Sequence, residues 1–115
     1  MPKELTNLHS SISKSLKDIQ EGFDVYQKAY FKQKSPEFFC FELNGEAGEL
    51  ANFEKKQWKG KDIDKNSFSD EAADVFIALM NYANARGIDL AAAVNEKLGK
   101  IEKKRLELES NGYKY

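Results

Sequence analysis

Apolar residues return at helical spacing along almost the whole chain, and this periodicity leaves little room for anything but an all-α fold. From the N-terminus, Leu5, Leu8, Ile12, Leu16, Ile19, Phe23, Tyr26 and Tyr30 follow one another at steps of three and four residues, which is one stripe along a helix. No strand-like alternation interrupts the pattern, and only two prolines occur. At 115 residues and 13.1 kDa the length predicts one domain covering 1–115. Lys and Arg total 18 against 19 for Asp and Glu, a net charge of −1. No global positive field therefore favours nucleic acid or an anionic membrane. The one cysteine, Cys40, has no intrachain disulfide partner, and a reducing cytoplasm is the expected compartment. No apolar run approaches the roughly 18 residues of a membrane span, and MPKELTNLHSSISK lacks a signal-peptide core. A soluble, unprocessed chain is expected.

The first helix is predicted over Asn7 to Lys32, with Gly22 marking a bend or a close contact. Ser35-Pro36-Glu37 is a start signal: Ser accepts from a free backbone N–H, Pro suits the first helical position and Glu favours the positive helix end. The second helix is expected from Pro36 to about Trp58, closed by Gly60 and followed by a loop over 61–65. Asn66, Ser67 or Ser69 is expected to cap a third helix running to about Arg86. Gly87 ends it, and Asp89 caps a fourth helix carrying Leu90, Val94, Leu98, Ile101 and Leu108. The short link at 87–89 predicts an antiparallel hairpin of helices three and four. From about Ser110 the tail has no periodic signal.

Charge placement on the second helix is unusual. At about 100° per residue, Phe39, Leu43, Leu50 and Phe53 share a face, and Glu42, Glu46 and Glu49 fall in the same wedge. Withdrawing an unpaired carboxylate from water costs several kcal/mol, so these acids need compensation. The third helix repeats the anomaly, with Glu71 and Asp74 one turn apart beside Val75, Ala78, Leu79 and Tyr82. Glu49 lies roughly 16 Å back from Gly60 and Asp74 roughly 12 Å beyond Asn66 along their helices, so antiparallel pairing brings the acidic pairs to similar depth. Converging carboxylates repel unless protonated or bridged by cations, and hard oxygen donors of this kind suit Mg²⁺ or Mn²⁺. The competing reading is that the acids pair with nearby lysines or line a solvated helix edge. A ferritin-like di-iron site needs Glu-x-x-His, and the only histidine, His9, is in the N-terminal segment, where a surface position is expected.

Four segments in order resemble a known family: Gly45-Glu46-Ala47-Gly48-Glu49-Leu50-Ala51, Asp70-Glu71-Ala72-Ala73-Asp74-Val75-Phe76, Ala83 through Leu90, and Asn95-Glu96-Lys97-Leu98. The chain is similar over roughly residues 38–105 to the all-α, MazG-like nucleoside triphosphate pyrophosphohydrolases, including dCTP pyrophosphatases and phosphoribosyl-ATP pyrophosphohydrolases. The family pattern E-E-x-x-E then E-x-x-D is matched at Glu46, Glu49, Glu71 and Asp74. Gly45 replaces the leading Glu, as in the dCTP pyrophosphatase branch.

The resemblance implies an antiparallel four-helix bundle that cleaves a nucleoside triphosphate between its α and β phosphates, giving monophosphate and pyrophosphate. Glu46, Glu49, Glu71 and Asp74 would hold Mg²⁺, with Mn²⁺ as a substitute, and Glu46 or Glu49 would orient or deprotonate the attacking water. Asn95 and Lys97 would contact substrate, with Lys56 and Trp58 as further substrate-binding candidates. Lys55, Lys100, Lys104 and Arg105 also lie on the helices expected near the site, though most of this basic run reads as a solvated helix end. Phe39, Phe53, Trp58 and Tyr82 are pocket candidates for which core packing is the simpler role taken singly. Trp58 sits at a different offset from the dCTP branch's tryptophan, so the resemblance does not fix the base. It also implies a homodimer or dimer of dimers, for which the first helix offers a heptad-like stripe. Two alternatives are a catalytically inactive helical binding or regulatory module, and the phosphoribosyl-ATP enzyme.

Overall fold

The computed structural model describes residues 1–115, of which 82% are helical and none lies in a strand. The chain makes four helical stretches. The first comprises α1 (Lys3–Ser11), a π-helical turn (Ile12–Leu16) and α2 (Lys17–Tyr30); the others are α3 (Pro36–Trp58), α4 (Lys65–Arg86) and α5 (Leu90–Ser110). No helix is long and apolar enough to cross a membrane.

Several ends follow from local chemistry. Ser35 caps α3, its side chain accepting from the Phe38 N–H at 3.2 Å, with Pro36 at the first helical position. Gly60 adopts φ +99°. Its N–H donates to the Gln57 carbonyl and that of Lys61 to the Lys56 carbonyl, the paired bonds of a Schellman stop. Gly87, at φ +74°, ends α4, and Asp89 caps α5 by accepting from the Ala92 N–H at 3.1 Å.

Three local expectations are corrected. The first helix starts at Lys3 and stops at Tyr30, rather than spanning Asn7 to Lys32: the Pro2 carbonyl already accepts from the Thr6 N–H, and Glu4 lies in the first turn. The cap of α4 is Asp64, not Asn66, Ser67 or Ser69, because the Asp64 side chain accepts from the Asn66 N–H at 3.0 Å and starts the helix at Lys65. Gly22 lies within α2 with nothing inside 4 Å of a Cβ placed there, so it makes no close contact.

The chain divides into two compact units, one of residues 1–22 with 88–115 and the other of residues 23–87. In the first, α5 packs on the π-helical turn. Asn95 joins them, its Oδ1 accepting from His9 Nδ1 at 2.7 Å and its Nδ2 donating to Ser13 Oγ at 2.8 Å. Further along, buried Gln20 donates to the Ile88 carbonyl at 2.7 Å and accepts from the Leu90 N–H at 3.1 Å, satisfying a backbone donor that the start of α5 would otherwise leave open. Partners at 9, 13 and 20 meet 95, 95 and 88–90, so these segments run antiparallel. The link between α4 and α5, expected to close a hairpin, coincides with the boundary between the units.

In the second unit, α3 and α4 form the main helix pair. Arg86 at the end of α4 reaches Glu37 at the start of α3 (3.4 Å), while Phe53 and Phe68 stack edge to face at the other end with ring centroids 6.4 Å apart. The helices are therefore antiparallel. Phe39, Ala78, Met80 and Ala83 are buried, Met80 completely, and burying such a methionine contributes about 1.5–3 kcal/mol. The alanines keep that interior narrow. Phe23 on α2 meets Phe76 on α4 edge to face at 6.0 Å.

Candidate metal centre

Midway along the α3–α4 pair, the antiparallel register sets acid against acid. Glu46 from α3 and Glu71 and Asp74 from α4 are all half-buried, and one carboxylate oxygen from each lies within 4.8 Å of the others. The acids sit there because each helix spends its apolar positions on the seam on either side: Leu43 and Leu50 flank Glu46, and Val75 and Ala78 follow Asp74. Glu71 and Asp74, three residues apart, project from one face.

Electrostatics make Glu71 the unusual member. Its pKa is raised from 4.5 to about 7, chiefly by the hydrogen bond to the Glu46 side chain, then by desolvation and by the charges of Glu46, Glu49 and Asp74. A carboxyl among like charges holds its proton well above the ordinary range. The Glu71 Oε2 atom is shut away from solvent with no hydrogen-bond partner. Such an oxygen is costly to bury, and a cation would satisfy it. The donor set consists of hard carboxylate oxygens without nitrogen or sulfur, so it fits Mg²⁺ or Mn²⁺ and not the usual zinc ligation.

Other residues singled out from sequence are placed as follows. Glu49 is exposed and outside the converging set, yet close enough for its charge to raise the Glu71 pKa. Glu42, in the same wedge, is exposed. Lys56 is half-buried near the end of α3. Trp58, the last residue of α3, is 89% exposed and packs in no core, whereas Phe39 is buried and Phe53 and Tyr82 are half-buried. Lys97 is exposed on α5 in the other unit, as is the half-buried Asn95, whose amide is occupied by His9 and Ser13. Of the basic run, Lys100 pairs with Glu96, and Arg105 pairs with Glu102 and Glu109, both of which raise its pKa. Cys40 is free and exposed.

Three residues escaped the sequence reading. His9, expected at the surface, is half-buried and bonded to Asn95. Gln20 is buried across from the start of α5. Asn81, on the apolar face of α4, hides an unpartnered Oδ1. Polar residues interrupting an apolar stripe were the available signal for Gln20 and Asn81; His9 offered none, since its partner is 86 positions away.

The site thus defines an all-helical protein with a carboxylate cluster between two antiparallel helices. Comparison of the chain with protein families, with curated proteins and with solved structures gives no match.

Proposed function

We propose that this chain is a Mg²⁺-dependent nucleoside triphosphate pyrophosphohydrolase of the MazG-like all-α type, acting as a homodimer or dimer of dimers. The observation that carries the reading is the convergence of Glu46, Glu71 and Asp74 within 4.8 Å, with a buried Glu71 oxygen lacking any partner. The ordered acidic motifs on α3 and α4 support it. When bound, the cation neutralises triphosphate charge and lowers the pKa of water. Glu46, Glu71 and Asp74 would hold it, and Glu49, exposed one turn beyond Glu46, would complete the set or accept a proton from the attacking water. Glu46 is the second candidate for that proton. Lys56, in the same unit as the acids, is engaged in no ion pair, which leaves its ammonium available to substrate phosphates; Lys97, also outside any ion pair, is carried as a substrate contact by the family resemblance alone. Trp58 offers an exposed ring for stacking, while Asn95 lies in the other unit with its amide held by His9 and Ser13, so a part for it in substrate binding rests on the family resemblance alone. No covalent nucleophile is required, because phosphoryl-type transfer is carried by positioning and charge stabilisation.

The test is pyrophosphate release from a panel of canonical and modified nucleoside triphosphates and phosphoribosyl-ATP, with Mg²⁺ and with chelator. Metal-dependent formation of monophosphate plus pyrophosphate is expected, with kcat lowered about 10²- to 10⁴-fold in Glu46→Gln or Glu49→Gln, whichever is the base. Metal binding without turnover on any substrate would instead identify a non-catalytic binding module.

A further inference from the structure

Trp58 is the most exposed of the large apolar side chains, and it stands in a run of lysines. Lys55, Lys56, Lys59 and Lys61 surround it, with acids only at the two ends of the run, Glu54 and Asp62. Every ion pair of the chain lies elsewhere, so these ammonium groups have no carboxylate to neutralise them. The net charge of −1 is an average over the molecule and hides this local excess. At about 100° per residue, Lys55, Trp58 and Lys59 share one arc of α3, and Lys55 lies about 180° round the helix from Glu46. Lys56 falls between that arc and the seam and is half-buried, whereas Lys55, Lys59 and Lys61 are exposed. Lys61 is held against the last turn by its N–H bond to the Lys56 carbonyl. Trp58 is also about 18 Å beyond Glu46 along the axis.

A lysine in the last turn of a helix complements its dipole, but that does not account for an indole left in water. A ring among unpaired cations, turned away from the acid cluster, fits a partner that carries both phosphates and flat rings. A membrane surface would call for several apolar side chains beside the indole. Its neighbours Gln57, Lys59 and Gly60 offer none, Phe53 is spent on Phe68, and Ile63 is half-buried. We propose that Lys55, Trp58, Lys59 and Lys61 form a docking surface for single-stranded nucleic acid, the lysines following its phosphates and the indole stacking on a base. The surface stands apart from the hydrolase reading and needs neither metal nor turnover.

The experiment titrates the full chain with single-stranded oligodeoxythymidylate in chelator, reading Trp58 emission and the anisotropy of a labelled strand. As the only tryptophan, Trp58 reports its own contacts. The strand should quench the emission, and affinity should fall with salt at a log–log slope of about −2 for three lysines. Trp58→Ala, read by anisotropy, is expected to bind about tenfold more weakly, and Trp58→Phe to keep most of the affinity. Lys59→Gln combined with Lys61→Gln should bring the slope to about −0.7 and leave pyrophosphate release from triphosphates unchanged. No binding at low salt, or binding that Trp58→Ala leaves unmoved, overturns the assignment. Any other cover on the ring overturns it too. Quenching and displacement of the strand by a nucleoside triphosphate alone would give the indole to the substrate. A blue shift with phosphatidylserine vesicles and no response to the strand would give it to a membrane, and one that grows with protein concentration alone would give it to a second copy. Strand binding is read in chelator and turnover with Mg²⁺, so the failure of either reading leaves the other standing.

Discussion

Glu71 concentrates the chemistry of this molecule in one proton. In the folded chain its pKa stands at about 7, against 4.5 in its absence of neighbours. Between those values the folded state keeps a proton that the unfolded chain has already lost. Because stability falls with pH wherever the native state binds more protons than the unfolded one, this contribution is complete below about 4.5 and is lost as pH rises through about 7. In chelating buffer the melting temperature should therefore decline over that window, and Glu71→Gln, which cannot titrate, should flatten the decline. Metal must displace the same proton, so Mg²⁺ should raise the melting temperature more at pH 8 than at pH 6, with proton release on binding. Melting curves across pH with chelator and with Mg²⁺ check this; a wild-type profile as flat as that of Glu71→Gln would remove Glu71 from the role. At the start of α3, Glu37 shows the converse: its own backbone N–H, the Ser35 hydroxyl and Arg86 hold its carboxyl below the ordinary value.

Among the elements, the glycines give a prediction of opposite signs. Gly60 sits at φ +99° in the stop after α3, where any L side chain is strained, so Gly60→Ala should destabilise the fold by about 1–2 kcal/mol. Gly22 lies inside α2 with open space at its Cβ position, so Gly22→Ala should stabilise it by about 0.5–1 kcal/mol. Urea denaturation of both variants checks the pair, and a shift of the same sign in both would contradict the backbone argument. This contrast also explains what could be read in the sequence. Ser35-Pro36, Gly60, Gly87 and Asp89 act on backbone groups within a few residues of themselves, so they were legible as stop and start signals. Asp64 was passed over because several capping side chains stand between 64 and 69, and only the one that reaches a free N–H matters. The π-helical turn has no local signature: its partner is Asn95, bonded to Ser13 from 82 residues away. The acid cluster was legible as carboxylates inside an apolar wedge. Which acids meet was not, because Glu46 and Glu49 differ by about 60° around the helix, and only the register against α4 turns the first inward.

For the molecule as a whole, the decisive quantity is surface. The chain exposes 8538 Å², whereas a folded monomer of this mass exposes roughly 6400 Å². Few hydrophobic side chains are buried, and Val25, Tyr30 and Phe41 each stay at least 70% exposed. Leaving apolar side chains of that size in water forfeits about 1.5–3 kcal/mol apiece. A net charge of −1 sets no strong like-charge barrier against a second copy. The exposed apolar residues support the proposed homo-oligomer and would form its contact. Sedimentation equilibrium should return a mass of two or four chains at micromolar concentration. Phe41, 75% exposed on α3 and two residues from buried Phe39, projects away from the α4 seam, so Phe41→Arg should place a charge in the interface without disturbing the acid cluster. The variant is then expected to shift toward the single-chain mass while retaining Mg²⁺ binding at Glu71. A wild-type chain that sediments at 13.1 kDa at every concentration would mean that these residues are exposed for another reason, and the oligomer would have to be abandoned whatever the fate of the metal centre.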